Sequence, residues 1–366
     1  MLWNYQTVEH ARPTTASLPG LTCYQATVSC PNTTGDLITF GYEKPSQNPP
    51  NGTIVLFSGA GGTTASATPG SEASYAQAYL SQGYTVVQLA WLHDWETTNW
   101  DPVIPNPYNI QTAACLPATF LHYVRYGQNP VMYSAGGMCA QGASAGSAAL
   151  AYSVAWYGAA DPVAGYLDKL ELISGPVFSD IAQGCYVPPP PQTVTPVNIC
   201  SGNPSYCVGW PSGGLSESPS YVMGTEHSVG SWTGDSSCRG SQSTTQASYN
   251  NWLAQSIVNG PNGGGGSFNY SKTAMGAWLC SSDVQGTYNN SAPEGWLFYY
   301  QVGQQSSPPI FFNVTAVGSC SDPEGVGQGI VVAGAYAGQT GFNAISSDMA
   351  DPRHTQTSVC HQNPGH

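Results

Sequence analysis

A chain of 366 residues, 41% of them hydrophobic, is long enough for two small domains or one elaborated one and apolar enough to bury a core. Its 7 lysines and arginines stand against 20 aspartates and glutamates, a formal charge of −13. Such a surface cannot neutralise phosphates, which argues against nucleic acid and anionic membranes as partners. Eleven cysteines are too many for a reducing compartment unless they bind metal, and no C-x-x-C or Cys/His spacing offers a metal site, so the composition points to an oxidised, secreted protein without metal or cofactor. Five N-x-S/T sequons, at Asn32, Asn51, Asn269, Asn289 and Asn313, are compatible with that history. No stretch is long and apolar enough to span a bilayer, and Met1-Leu2-Trp3-Asn4 does not read as a signal peptide, which favours a mature form.

In chain order, Cys23 and Cys30 flank an expected hairpin and are expected to staple it. Thr53-Ile54-Val55-Leu56-Phe57 reads as a buried strand that runs into Ser58-Gly59-Ala60-Gly61-Gly62. That glycine turn lacks the lysine of a phosphate loop and the spacing of a dinucleotide fingerprint, which leaves a tight turn or a loop that presents backbone N–H groups. Ser71 to Ser81 has helical spacing and stops at Gly83, a left-handed cap. Tyr84 to Trp91 is the next strand, and the His93/Asp94 pair after it reads as loop packing. A helix is expected between Thr112 and Tyr126, with Pro117 in its first turn.

Met138 to Ser147 then holds an apolar strand, the turn Gly142-Ala143-Ser144-Ala145-Gly146 and a small-residue helix to Gly158. A G-x-S-x-G between strand and helix places a serine on a sharp turn that lifts its hydroxyl off the sheet edge. Asp168 to Ser174 is a further strand. Strands alternating with helices imply a doubly wound, mostly parallel sheet, an α/β fold. From Cys185 the pattern breaks into a Pro-, Gly-, Cys- and aromatic-rich stretch, expected to be a disulfide-rich cap over 185–308 inserted in a core of 1–184 and 309–366. Pro309 to Val317 resumes as a strand that ends in Gly318-Ser319-Cys320-Ser321-Asp322. Ile330 to Gln339 reads as a helix, and Phe342 to Ile345 as a short strand leading to His354.

On these motifs the chain resembles the α/β-hydrolase superfamily over roughly 50–184 and 309–360, and among its members secreted carboxylesterases of the feruloyl esterase and polyester depolymerase kind. The family's triad runs nucleophile, acid, histidine, an order that Ser144, Asp322 and His354 reproduce; Glu324 remains an alternative acid. The chemistry needs these types: an imidazole near neutrality takes the serine proton, a carboxylate orients the imidazole, and two N–H donors hold the oxyanion. The resemblance implies Ala60 and Ala145 as those donors, with Ser58 standing where the family often has histidine. It implies a small-molecule or polymeric ester substrate, uncharged or aromatic. A serine peptidase on the same fold, or a binding protein on a hydrolase scaffold, are the rival readings. The cap aromatics are expected to line the pocket. Cys139 is expected to be the odd, unbridged cysteine, and Cys320 to pair with Cys360, because the triad requires the acid and base loops to meet, with Cys280 the competing partner.

Overall fold

The computed structural model describes residues 8–13, 21–33, 35–64, 72–96, 110–133, 136–179, 181, 207–210, 250, 253–258, 266–281, 291–306, 309–320 and 323–351. Eleven strands form one sheet: β1 (Val8–Pro13), β2 (Thr22–Val28), β3 (Asp36–Glu43), β4 (Gly52–Phe57), β5 (Thr85–Trp91), β6 (Gly137–Ala143), β7 (Lys169–Ile173), β8 (Cys207–Val208), β9 (Ala274–Cys280), β10 (Phe312–Gly318) and β11 (Ile330–Val331). Their order is β1-β2-β3-β5-β4-β6-β7-β9-β10-β11, with β8 also paired to β10. The run β5-β4-β6-β7-β9-β10 is parallel throughout, and β1, β2, β3 and β11 are antiparallel additions at the edges.

The central strands are buried on both faces, which is why they read as unbroken apolar runs rather than alternating ones. Val55, Val87, Ala140, Leu172 and Ala277 point to one core, shared with α3 (Cys115–Tyr126), α4 (Ala145–Ala155) and α5 (Ser291–Gly303). Their neighbours Ile54, Val86, Cys139, Ile173 and Trp278 point to the other, under α1 (Glu72–Ser81) and α6 (Gly341–Met349). A short helix, α2 (Ile110–Ala113), precedes α3. The doubly wound α/β architecture expected from the alternation of elements is therefore present. Gly83 caps α1 as expected: at φ +89° its N–H donates to the Leu80 carbonyl at 3.0 Å, and that of Tyr84 to Tyr79 at 3.0 Å.

On the α6 face the sheet carries a buried charged cluster. Lys169 Nζ lies 2.7 Å from Asp348 Oδ2 and 3.3 Å from Glu171 Oε1, and Trp278 Nε1 donates to Glu171 Oε2 at 2.7 Å. Burial favours the neutral amine, but the two carboxylates outweigh it and keep Lys169 charged. The cluster pins α6, and Tyr336, which donates to Asp351 at 3.1 Å, extends it past the end of that helix.

Several expectations are corrected here. Residues 330–339 are not a helix: β11 is followed by turns with Gly334 and Gly338 at φ +87° and +83°, closed by Val331 N–H to Gln339 O at 2.9 Å. Residues 342–345 are not a strand but the first turns of α6, whose N-cap Thr340 accepts from the Asn343 N–H at 3.3 Å. The 185–308 stretch is not wholly outside the core, because β9 and α5 come from it and β9 lies between β7 and β10. Of the aromatics assigned to a pocket lining, Trp278 and Tyr299 are fully buried core residues, and Trp210 donates to the Val314 carbonyl at 3.2 Å; Tyr221, Trp232 and Trp252 lie outside the described residues.

The cysteines pair differently from the expectations. Cys30 bonds Cys115, not Cys23. Cys23 is inside β2 and Cys30 just beyond its end, so seven extended residues separate their Cα atoms by roughly 20 Å, far beyond disulfide reach. Cys320 bonds Cys280, with Cα atoms 6.0 Å apart, instead of Cys360, because β9 and β10 are adjacent and both sulfurs sit at their ends. Cys139 is in a disulfide as well, so burial in a central strand does not leave it unbridged. The Cys30–Cys115 bond ties the β2 end to α3 across 85 residues. Replacing both by serine is expected to lower unfolding free energy by about 2–5 kcal/mol, read from urea midpoints at unchanged slope.

Candidate active site

The sheet order reverses between β4 and β6: from β4 the chain moves to β5 on one side, and β6 lies on the other. Ligands in open α/β sheets sit at such a switch point, beyond the C-terminal strand ends. Both loops singled out by the sequence emerge there.

Ser144 follows β6 with φ 50° and ψ −116°, and α4 begins at the next residue. This is strained backbone for a residue with a side chain. Neighbouring contacts hold it. The Ser144 N–H donates to Ile173 O at 2.8 Å, and its carbonyl accepts from the Ser147 N–H at 2.9 Å, the Ala148 N–H at 3.2 Å and Ser147 Oγ at 2.6 Å. The two glycines of the motif are required by close approach. A Cβ on Gly142 would stand 2.3 Å from the Gly146 carbonyl oxygen, and one on Gly146 would stand 2.3 Å from that of Phe57.

The glycine loop after β4 passes directly beside this serine. A Cβ on Gly59 would lie 3.3 Å from Ser144 Cβ and 3.9 Å from its Oγ, so the glycine backbone runs close beside the hydroxyl. Ala60–Gly62 forms one 3₁₀ turn, closed by the Gly62 N–H to Gly59 O at 2.9 Å, with Gly61 and Gly62 at φ +71° and +75°. Ala145 is the first residue of α4, so its N–H has no acceptor within the helix and points with the positive end of the helix dipole. Ser144, the Gly59 backbone that leads into Ala60, and Ala145 are thus brought together. Asp322 and His354 lie outside the described residues.

Sequence reasoning did not single out three supporting features. Loop 93–96 braces the glycine loop from behind: the Trp95 N–H donates to Gly61 O at 3.1 Å, and the space a Cβ on Gly61 would need is filled by Asp94, 2.6 Å away. His93 Nδ1 lies 2.8 Å from Asp36 Oδ1, in keeping with packing rather than catalysis. Glu96 is 1% exposed with neither carboxylate oxygen hydrogen-bonded among the described residues, and burial together with Asp94 pushes its carboxyl up to about 8. The third feature is a pattern of strain, with Ser144, Ser174 and Ser319 at positive φ directly after β6, β7 and β10. Non-glycine residues in that region concentrate at functional sites, and all three lie at the same sheet edge. A serine directly after an apolar run was the only trace of them in the sequence.

The parallel sheet, the strained serine turn after its central strand and the glycine loop after the neighbouring strand form one arrangement. This is the α/β-hydrolase fold.

No family model matches the sequence, and no curated protein does. Among solved structures, the chain is similar to acetyl xylan esterase 1 from Thermoanaerobacterium sp., at 11% identity over 93% of this chain and 86% of that one, TM-score 0.49. It is also similar to Thermogutta terrifontis esterase 2, at 10% identity over 91% and 93%, TM-score 0.46. For a fungal esterase from Rhizomucor miehei the values are 13%, 82% and 75%, TM-score 0.42. The fold assignment stands on the strand order and the serine turn themselves.

Proposed function

We propose that this protein is a serine hydrolase of carboxylic esters that works through an acyl-enzyme. The observation that carries the reading is Ser144 itself: a serine held at φ 50° on a strand-to-helix turn, with a bare glycine backbone beside its hydroxyl. In this mechanism His354 removes the Ser144 proton as the oxygen attacks the ester carbonyl. The N–H groups of Ala145 and Ala60 receive the charge that develops on the carbonyl oxygen. His354 then protonates the departing alkoxide, and water repeats the cycle on the acyl-enzyme. Asp322 orients the imidazole.

One observation supports a second candidate for the acid. β9 sits between β7 and β10, and Cys280–Cys320 fastens the ends of β9 and β10, so the two strands end side by side. Asp283 follows β9 as Asp322 follows β10. Asp322→Asn and Asp283→Asn are therefore measured in parallel. The true acid is expected to lose about 10⁴-fold in kcat, as when an orienting carboxylate is replaced by its amide, and the other less than tenfold.

With a histidine base, kcat/KM on a p-nitrophenyl ester rises tenfold per pH unit below a pKa near the ordinary imidazole value of about 6.5, because only the neutral ring accepts the proton. A flat acid limb removes His354 from this role. Uncharged or aromatic esters are the expected substrates of so weakly basic a chain, and the disulfides support a working compartment that is oxidising, as secretion would provide. The comparison of p-nitrophenyl acyl chains with methyl ferulate tests the first point.

A further inference from the structure

A cavity of about 770 Å³ opens at the edge of the sheet opposite Ser144. It lies below the N-terminal ends of β6, β7, β9 and β10, where Gly136, Asp168, Thr273 and Ile310 line it. The seven residues of β6 separate that edge from Ser144 by roughly 20 Å, at about 3.3 Å per residue. It is therefore no part of the ester site, and its size is that of a ligand pocket.

Its chemistry is unusual for this chain. Arg125 and Lys272, two of only 7 basic residues, both line it, and neither has a carboxylate partner among the described residues. The Arg125 guanidinium lies over the Tyr133 ring at 3.8 Å and reaches that of Tyr126 at 5.1 Å. Stacking occupies the face of the guanidinium and leaves its in-plane N–H donors available. Across the cavity, Asp161 Oδ1 is fixed by the N–H groups of Val163 and Ala164 at 2.8 and 3.1 Å, which holds the carboxylate rigid while its second oxygen still offers an acceptor. Asp168 Oδ2 accepts from the Met138 N–H at 2.7 Å. Tyr126 is 46% and Val163 91% exposed, so the rim shows apolar surface to solvent.

These facts select a ligand class. Two cations against two carboxylates give a cavity with no net charge, which disfavours phosphate and polyanions. Four charged side chains and the Ser271 hydroxyl disfavour a lipid or an apolar ring. What remains needs donors and acceptors together with an aromatic face, and that is what a sugar offers: hydroxyls that both donate and accept, and a C–H face that packs on a tyrosine. From this juxtaposition of stacked Arg125, rigid Asp161 and exposed Tyr126 we infer that the cavity is a binding subsite for a neutral oligosaccharide, remote from and independent of Ser144.

Titration of the full chain with cellohexaose and with xylohexaose, followed by calorimetry or ligand-observed NMR, tests this, with trigalacturonate as the anionic arm. At least one neutral hexasaccharide is expected to bind with a Kd of about 0.1–10 mM, and trigalacturonate more weakly. Tyr126→Ala and Arg125→Ala are each expected to weaken binding about tenfold or more, as loss of a stacking or a charged hydrogen-bonding group does, with p-nitrophenyl acetate turnover unchanged. Arg125→Lys, which keeps the charge but not the planar fork, is expected to fall with Arg125→Ala. Ser144→Ala is expected to bind as the wild type, which separates this inference from the ester reading. No saturable binding of either neutral probe overturns the assignment. So does binding that survives both alanine substitutions, or tighter binding of trigalacturonate.

Discussion

Ser144→Ala is expected to leave a folded protein whose kcat on p-nitrophenyl esters is lower by roughly 10⁴- to 10⁶-fold, the loss that follows removal of a nucleophile acting as one unit with its base. The fold should be retained because, among the described residues, the hydrogen bonds that hold the turn are made by the Ser144 backbone and by Ser147, not by the Ser144 Oγ. A fluorophosphonate should label the wild type at Ser144 and leave the variant unlabelled. Ser144→Gly extends the test to energetics. At φ 50° a glycine relieves strain of order 1 kcal/mol, so this variant should be inactive and yet slightly more stable than Ser144→Ala. A tenth of wild-type turnover in Ser144→Ala sinks the nucleophile assignment. Equal melting temperatures for the two variants remove only the claim of strain.

The turn was legible because its glycines answer to local sterics: Gly142 and Gly146 meet backbone atoms 2.3 Å from where a Cβ would sit, a requirement that leaves its mark in five consecutive residues. The strands β4, β5, β6, β7 and β10 were legible for the related reason that burial on both faces demands continuous apolar runs. β9 satisfies the same demand, and all seven of its residues are buried, but Ala274-Met275-Gly276-Ala277 is weakly β-forming and follows a glycine-rich stretch. Its place is fixed by pairing with β7 and β10, which no local pattern reports. α6 and the turns before it were exchanged because two short elements of small residues lack periodicity; the Thr340 cap and the positive-φ glycines Gly334 and Gly338 were the usable signals. The disulfides were the least legible feature. Cys30 and Cys115 meet only because α3 packs on β2 across the sheet face, and Cys280 and Cys320 only because β9 and β10 are neighbours.

Glu96 shows the same limit from the side of electrostatics, since nothing in His93-Asp94-Trp95-Glu96 announces that its last carboxyl is 1% exposed and, among the described residues, without a hydrogen bond. Among the described residues, the groups that act on its charge are Asp94 on the same loop and the uncharged Tyr152 of α4, and neither offers a cation. The ionised form is therefore penalised, and the folded protein holds the proton up to a pH of about 8, whereas an unfolded chain releases it near 4.5. Between those values the native state binds more protons than the unfolded state, so stability falls as pH rises and levels off only above about 8. At 1.36 kcal/mol per pH unit, the interval from 4.5 to about 8 sets a ceiling of about 5 kcal/mol on this loss. Glu96→Gln keeps the shape and removes the titration. Relative to wild type, its unfolding free energy should therefore climb by up to that amount between pH 5 and pH 9. Because loop 93–96 braces the Gly61 carbonyl, the wild type should also lose kcat above about pH 8, and Glu96→Gln should not. Urea midpoints and kcat for both proteins across pH 5 to 9 decide the matter. Parallel stability curves would show that Glu96 does not carry its proton into the neutral range.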